Sequence, residues 1–115
     1  MNPLVSVIIS TYNSSQYIEE TLDSVFSQTW KEIEIIVSDD CSKDKTVEIC
    51  RKWFDKNKSR FFKTLLITSN INTGVSGNAN RGLRAACGNW IKFLGADDTL
   101  KNKCIEDNMF WISAH

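Results

Sequence analysis

The sequence predicts an α/β fold, three layers α/β/α with a mostly parallel sheet, on three observations. Apolar β-branched runs alternate with amphipathic segments along the chain, in the order β-α-β-α-β-α-β-α. The first, VSVIIS, is a continuous apolar, β-branched run, as in a strand covered on both faces. Two of the runs, IEIIVSDD and WIKFLGADD, close on adjacent aspartates, Asp39-Asp40 and Asp97-Asp98. Ligands of open α/β sheets bind outside the carboxyl ends of the strands, where both pairs would stand.

VSVIIS, after Pro3, reads as the first buried strand. The polar break Thr11-Tyr12-Asn13-Ser14-Ser15 follows, with a serine able to cap the next helix. Ile18, Leu22, Val25 and Phe26 recur at helical spacing and lay one stripe on the sheet. Ile33 to Val37 forms the second strand. Cys41-Ser42-Lys43-Asp44 then supplies a turn and cap, before a helix with Val47, Cys50 and Phe54 inward. Phe61 to Thr68 is the third strand. The polar loop 69–74 ends on Gly74, expected to take a positive φ or admit a close backbone approach. Ala79, Leu83 and Ala86 predict a small-residue helix face that Gly88 ends. Trp90 to Leu94 is the fourth strand, and a last amphipathic segment runs from Leu100 to Trp111.

At 115 residues one domain is expected, with a real core and no room for a second. Zero formal net charge argues against nucleic acid or an anionic membrane as the main partner. The stretch LVSVII is too short to span a bilayer, and no charged leader precedes it, so a cytoplasmic protein is expected. Cys41, Cys50, Cys87 and Cys104 lack zinc-ligand spacing and are expected to stay reduced. His115 reads as a frayed terminal residue, not a base. The basic-aromatic stretch Lys52 to Phe62 either packs its aromatics in the core, the favoured reading, or touches a membrane surface. Trp111 suggests an apolar surface open to homodimerisation.

Two carboxylates a few ångströms apart repel by roughly 4 kcal/mol at an effective dielectric near 20. They coexist if solvated, protonated, hydrogen-bonded or bridged by a cation. Magnesium or manganese, held by carboxylates and substrate phosphates, suits such a site. The alternative is that Asp-Asp simply serves as turn and helix-cap chemistry.

VSVIISTYN, IIVSDDCSKDKT and NTGVSGNANRGLRAACGNWIKFLGADD, in order from Val5 to Asp98, resemble the N-terminal half of family 2 glycosyltransferases. The resemblance implies a Rossmann-like GT-A nucleotide-diphospho-sugar transferase fold. This part would bind the nucleotide-diphosphate sugar, a UDP-sugar first among them, and a later part a glycan or lipid-linked acceptor. Carried over by motif, Ser10 and Tyr12 contact the nucleotide; the Tyr12 ring offers a stacking surface, or else packs on the first helix. Asn13 belongs to the same substrate-binding group, although its residue type suits fixing the turn. Asp40 matches the aspartate that reads the base by accepting from a pyrimidine imide N–H. Asp39 is expected to satisfy turn donors or cap the second helix, with Ser42, Asp44 and Thr46 as further caps. Asp97 would lie near the ribose or metal shell. Asp98 would ligate Mg²⁺ or Mn²⁺ on the diphosphate, where a divalent ion neutralises the leaving group. Asn72, Gly74 and Asn80 would shape the loop beside the donor.

Three departures qualify the resemblance. Gly95 stands where the family usually has the first acid of its metal motif. Ala79 stands where an arginine is common, just before Asn80; Arg81 falls about a hundred degrees around the helix and is not expected simply to replace it. The family's general base lies well downstream, so no residue here is assigned as catalytic, and Glu106 and Asp107 read as a solvated helix face. The expectation is the donor-binding part of an inverting enzyme of cell-surface polysaccharide synthesis, inactive alone, cytoplasmic or peripheral at the inner membrane face. The alternatives are a degenerate module of the same fold and a receiver domain. The latter would need an acidic pair after the first strand, where Ser10-Thr11-Tyr12-Asn13 stands instead.

Overall fold

The computed structural model describes residues 2–114, so the reading of His115 lies outside it. Four strands, β1 (Val5–Thr11), β2 (Ile33–Asp39), β3 (Lys63–Thr68) and β4 (Trp90–Gly95), form one sheet in the order β3-β2-β1-β4. Every pairing is parallel. Thr11 stands opposite Asp39, Asp39 opposite Thr68, and Ser10 opposite Gly95. The carboxyl ends therefore finish along one edge, and both aspartate pairs leave the sheet there.

Four helices follow the strands: α1 (Ile18–Phe26), α2 (Thr46–Asn57), α3 (Gly74–Ala85) and α4 (Cys104–Ala114). Successive strand side chains point to opposite faces. Val5, Val7, Ile9, Ile33, Ile35 and Val37 enter one apolar cluster with α1, α2 and α4. The other face carries α3, so close that a Cβ on Gly82 would lie 2.5 Å from Ile8 Cγ2. The three-layer parallel architecture is as expected.

Local details differ where polar or small residues decide the packing. Ser14 does not cap α1 with its hydroxyl; its carbonyl accepts from the Tyr17 and Ile18 N–H groups, both at 3.0 Å. β3 begins at Lys63, because a 3₁₀ turn over Lys58–Arg60 turns Phe61 into the core against Trp53, ring centroids 5.8 Å apart. On α3 the buried residues are Asn78 and Gly82, while Leu83 is 42% exposed. The helix ends at Ala85, and Gly88 instead donates its N–H to Ser6 Oγ at 2.8 Å. α4 starts at Cys104 rather than Leu100.

Trp53, Phe54 and Phe61 lie in the core, which removes them from any membrane contact, whereas Phe62 is exposed. Arg60 donates to the carbonyls of Phe26, Gln28, Trp30 and Lys31 at 2.9–3.1 Å. One guanidinium thus holds the whole connection from α1 to β2. No described helix is long and apolar enough to cross a membrane.

Candidate functional site

The loops after β1 and β2 are fastened to each other side chain by side chain. Asn13 and Cys41 take left-handed backbone, φ 49° and 68°, which reverses the chain just past the sheet edge. Asn13 N–H donates to Ser42 Oγ and Asn13 Oδ1 accepts from Lys43 N–H, each at 2.8 Å. Ser14 N–H donates to Thr46 Oγ1 at 2.8 Å. Asp39 is buried and fully engaged, accepting from Thr11 Oγ1, Ser42 Oγ and Ser42 N–H. It satisfies the turn and does not reach α2. Asp44 serves that helix, accepting from Thr46 N–H at 3.0 Å and from Ser15 N–H at 3.2 Å. Partial burial pushes its carboxyl up, but the bonds from Thr46 and Ser15 outweigh that and bring it down to about 2.

Asp40, 3% exposed, meets the N-terminus of α3. Its oxygens accept from Thr73 N–H at 2.9 Å, Thr73 Oγ1 at 2.6 Å and Gly74 N–H at 2.8 Å. Burial pushes this carboxyl up, yet those bonds and the Arg81 charge hold it below the usual carboxylate range. Gly74 has φ +84°, as expected, with open space where a Cβ would stand, so the need is conformational rather than steric. Asn72 Oδ1 accepts from Gly74 N–H at 3.1 Å and shapes the same turn. Asn80 is exposed, and the asparagine that faces the sheet is Asn78.

The Asp97-Asp98 turn is held from behind by α1. Thr21 Oγ1 donates to the Ala96 carbonyl at 2.7 Å, and Ser24 Oγ accepts from Leu100 N–H at 3.1 Å. Asp98 N–H closes onto the Gly95 carbonyl at 3.1 Å. Both aspartates are exposed. Their carboxylates converge over Gly95: a Cβ there would stand 2.9 Å from Asp98 Oδ2 and 3.3 Å from Asp97 Oδ1. The missing first acid is thus the space into which the remaining two fold.

A cavity of 500 Å³ opens at this edge, and Ser10, Tyr12, Asn13, Asp40 and Asp97 all line it. Asp98 sits beside it, turned over Gly95. Tyr12 is half exposed, its ring available to the cavity. Tyr17, Val75 and Asn78 also line it and were not legible as site residues. Only the spacing of Asn78 four residues before Gly82, on one helix face, gave a signal. Among the described residues no three acidic, histidine or cysteine side chains gather as a metal cage. Two exposed carboxylates nevertheless fit a Mg²⁺-type ion, which takes one or two carboxylates and completes its shell with substrate phosphates and water.

A model of the family described as glycosyl transferase family 2 matches residues 6–115. The chain belongs to glycosyl transferase family 2. One family 2 relative, from Escherichia coli, is the UDP-Glc:alpha-D-GlcNAc-diphosphoundecaprenol beta-1,3-glucosyltransferase WfaP. It is 41% identical over 95 residues, 83% of this chain and 36% of that one. S. aureus TarS 1–349 in complex with UDP-GlcNAc matches with a TM-score of 0.86 at 31% identity, over 97% of this chain and 32% of that one. The mannosyltransferase PcManGT from Pyrobaculum calidifontis, in complex with GDP-Man and Mn²⁺, matches at 0.79 and 30% identity, over 86% and 29%. The fold is thus the GT-A fold of these glycosyltransferases. This family 2 chain spans less than half the length of the curated relatives it matches, 14% and 44% for two of them.

Proposed function

We propose that this chain carries the nucleotide-sugar donor site of an inverting glycosyltransferase that uses a UDP-sugar. The observation that carries the reading is the cavity at the carboxyl edge, which gathers Ser10, Tyr12, Asn13, Asp40 and Asp97 from the ends of three strands. The UDP-GlcNAc complex of TarS and the UDP-Glc in the name of the E. coli relative support a uridine donor. Tyr12 supplies a face for the base and Asp40 an acceptor for its imide N–H, while Ser10 and Asn13 border the nucleoside. Asp98, with Asp97 beside it, would hold Mg²⁺ or Mn²⁺, which when bound supplies positive charge to the departing diphosphate. The Mn²⁺ complex of PcManGT supports that ion type.

In the full reaction an acceptor hydroxyl attacks the anomeric carbon in one in-line displacement, and the nucleoside diphosphate leaves. The base that takes the hydroxyl proton belongs, on this reading, to the length of the relatives that this chain does not span, so the chain alone turns over negligibly. The acceptor is a glycan or lipid-linked saccharide of cell-surface polysaccharide synthesis, met at the cytoplasmic face of a membrane. The relative named for a diphosphoundecaprenol substrate supports this. Gly95 favours a second reading, a module that keeps the fold and has lost metal-dependent chemistry.

Calorimetric titration with UDP, with and without Mn²⁺, beside Asp98→Ala separates the two. Binding that requires both the ion and Asp98 is expected. UDP, GDP and TDP all failing to bind would select the degenerate module.

A further inference from the structure

Behind Asp40 lies a partly buried polar network that no motif of the sequence announces. The Arg81 guanidinium donates to Thr73 Oγ1 at 2.8 Å and to Asn78 Oδ1 at 2.9 Å, and stands 3.5 Å from Asp40 Oδ1. Asn78 Oδ1 also accepts from Ser38 Oγ at 2.7 Å, and Asn78 Nδ2 donates to the Thr11 carbonyl at 3.2 Å. The network therefore ties the start of α3 to the carboxyl ends of β1 and β2.

Its polarity is fixed by one residue. Arginine donates and never accepts, so Thr73 Oγ1 must receive the Arg81 proton and send its own to Asp40 Oδ1, 2.6 Å away. By the same logic Asn78 must present its oxygen to Arg81, which directs its amide nitrogen to Thr11. A carboxylate has about four acceptor sites. Asp40 Oδ1 takes the Thr73 hydroxyl and the shorter bond from Thr73 N–H and faces Arg81, while Oδ2 takes Gly74 N–H and the longer bond from Thr73 N–H, so the carboxylate lining the cavity is held by both oxygens.

We propose that Arg81 is a positioning residue, which orients the Thr73 hydroxyl and the Asn78 amide and thereby fixes Asp40 and the Asn72–Gly74 turn for a nucleoside. The assignment rests on the donor-site reading. Arg81 itself touches no substrate. Lysine offers a point charge without the planar fork, so it can serve Thr73 or Asn78 but not both in this geometry.

The test compares wild type with Arg81→Met, Arg81→Lys and Thr73→Val, the last removing the relay while keeping the charge. Amide hydrogen exchange at Thr73 and Gly74 is read against the amides of β1 and β2, and UDP affinity is measured with Mn²⁺. In all three variants the Thr73 and Gly74 amides should exchange about tenfold faster, with the strand amides unchanged. UDP affinity should fall about tenfold in step, the loss expected for a bond to a charged group. Unchanged exchange at the turn would overturn the proposal. So would protection lost equally across the strands, or loosened amides with unaltered UDP affinity. If wild type binds no nucleotide, the donor reading and the nucleoside role fall together. The amide pattern still reports whether Arg81 holds the turn.

Discussion

Asp44 shows how a single carboxylate at a loop crossing sets a limit on acid stability. Its folded-state pKa, about 2, lies below the ordinary value of 3.8. A depressed carboxylate contributes stability that is fully present above the ordinary value and is lost as pH falls through the folded one. Asp40 is lowered in the same direction. Urea unfolding followed down the acid range should therefore show a steepening loss between about pH 4 and pH 2. Asp44→Asn should flatten that slope while leaving the neutral-pH fold intact. Two glycines make a second contrast. Gly82→Ala drives a methyl to 2.5 Å from Ile8 Cγ2 in the packed sheet face, and should cost about 1–3 kcal/mol in urea unfolding. Gly95→Ala meets only the mobile ends of Asp97 and Asp98, so stability should shift by less than about 0.5 kcal/mol. The displaced carboxylates should nonetheless reduce the effect of Mn²⁺ on UDP binding, read by the same titration.

At the scale of elements, the connection from α1 to β2 hangs on Arg60. Four carbonyls depend on its planar fork, and lysine cannot serve them together. Arg60→Lys should destabilise the chain by about 2 kcal/mol in chemical denaturation, with the loosening centred on 26–33. The sequence made the strands legible because β1 and β2 are rich in buried Val and Ile, so pattern and burial coincide over Val7–Ile9 and Ile35–Val37. It misplaced the inner face of α3 because that face is made by Asn78 and Gly82, which carry no apolar signal. Of the site, the strand-end residues were readable from motif and position, and the left-handed turn from Gly74. The Arg81 network was not, since it joins Thr11, Ser38, Asp40, Thr73 and Asn78 from three segments. Angle around a helix says where a side chain starts, and a long guanidinium ends elsewhere.

Across the whole molecule, one part of the apolar exposure lies on β4 and α4. Among the described residues β4 pairs only with β1, and its exposed side chains include Trp90, Ile91 and Phe93, the last 52% exposed. Phe110 of α4 is exposed as well. An unpaired edge with aromatic side chains templates association. This 115-residue chain should sediment as a concentration-dependent mixture, and Phe93→Lys should shift it toward monomer without unfolding it.

The register of β1 also orders events in time. β1 pairs with the next strand in the chain, Val5 opposite Ile33, and with the last, Val5 opposite Trp90, a far longer loop to close. Closing the longer loop carries the larger entropic cost, and contacts remote in sequence slow folding. A chain emerging from synthesis can therefore assemble the Tyr12 and Asp40 side of the cavity while Asp97 and Asp98 are still unplaced. On the donor-site reading proposed above, metal-dependent capture of a nucleotide would become possible only when β4 docks beside β1, so in a refolding experiment it would mark the final strand's arrival.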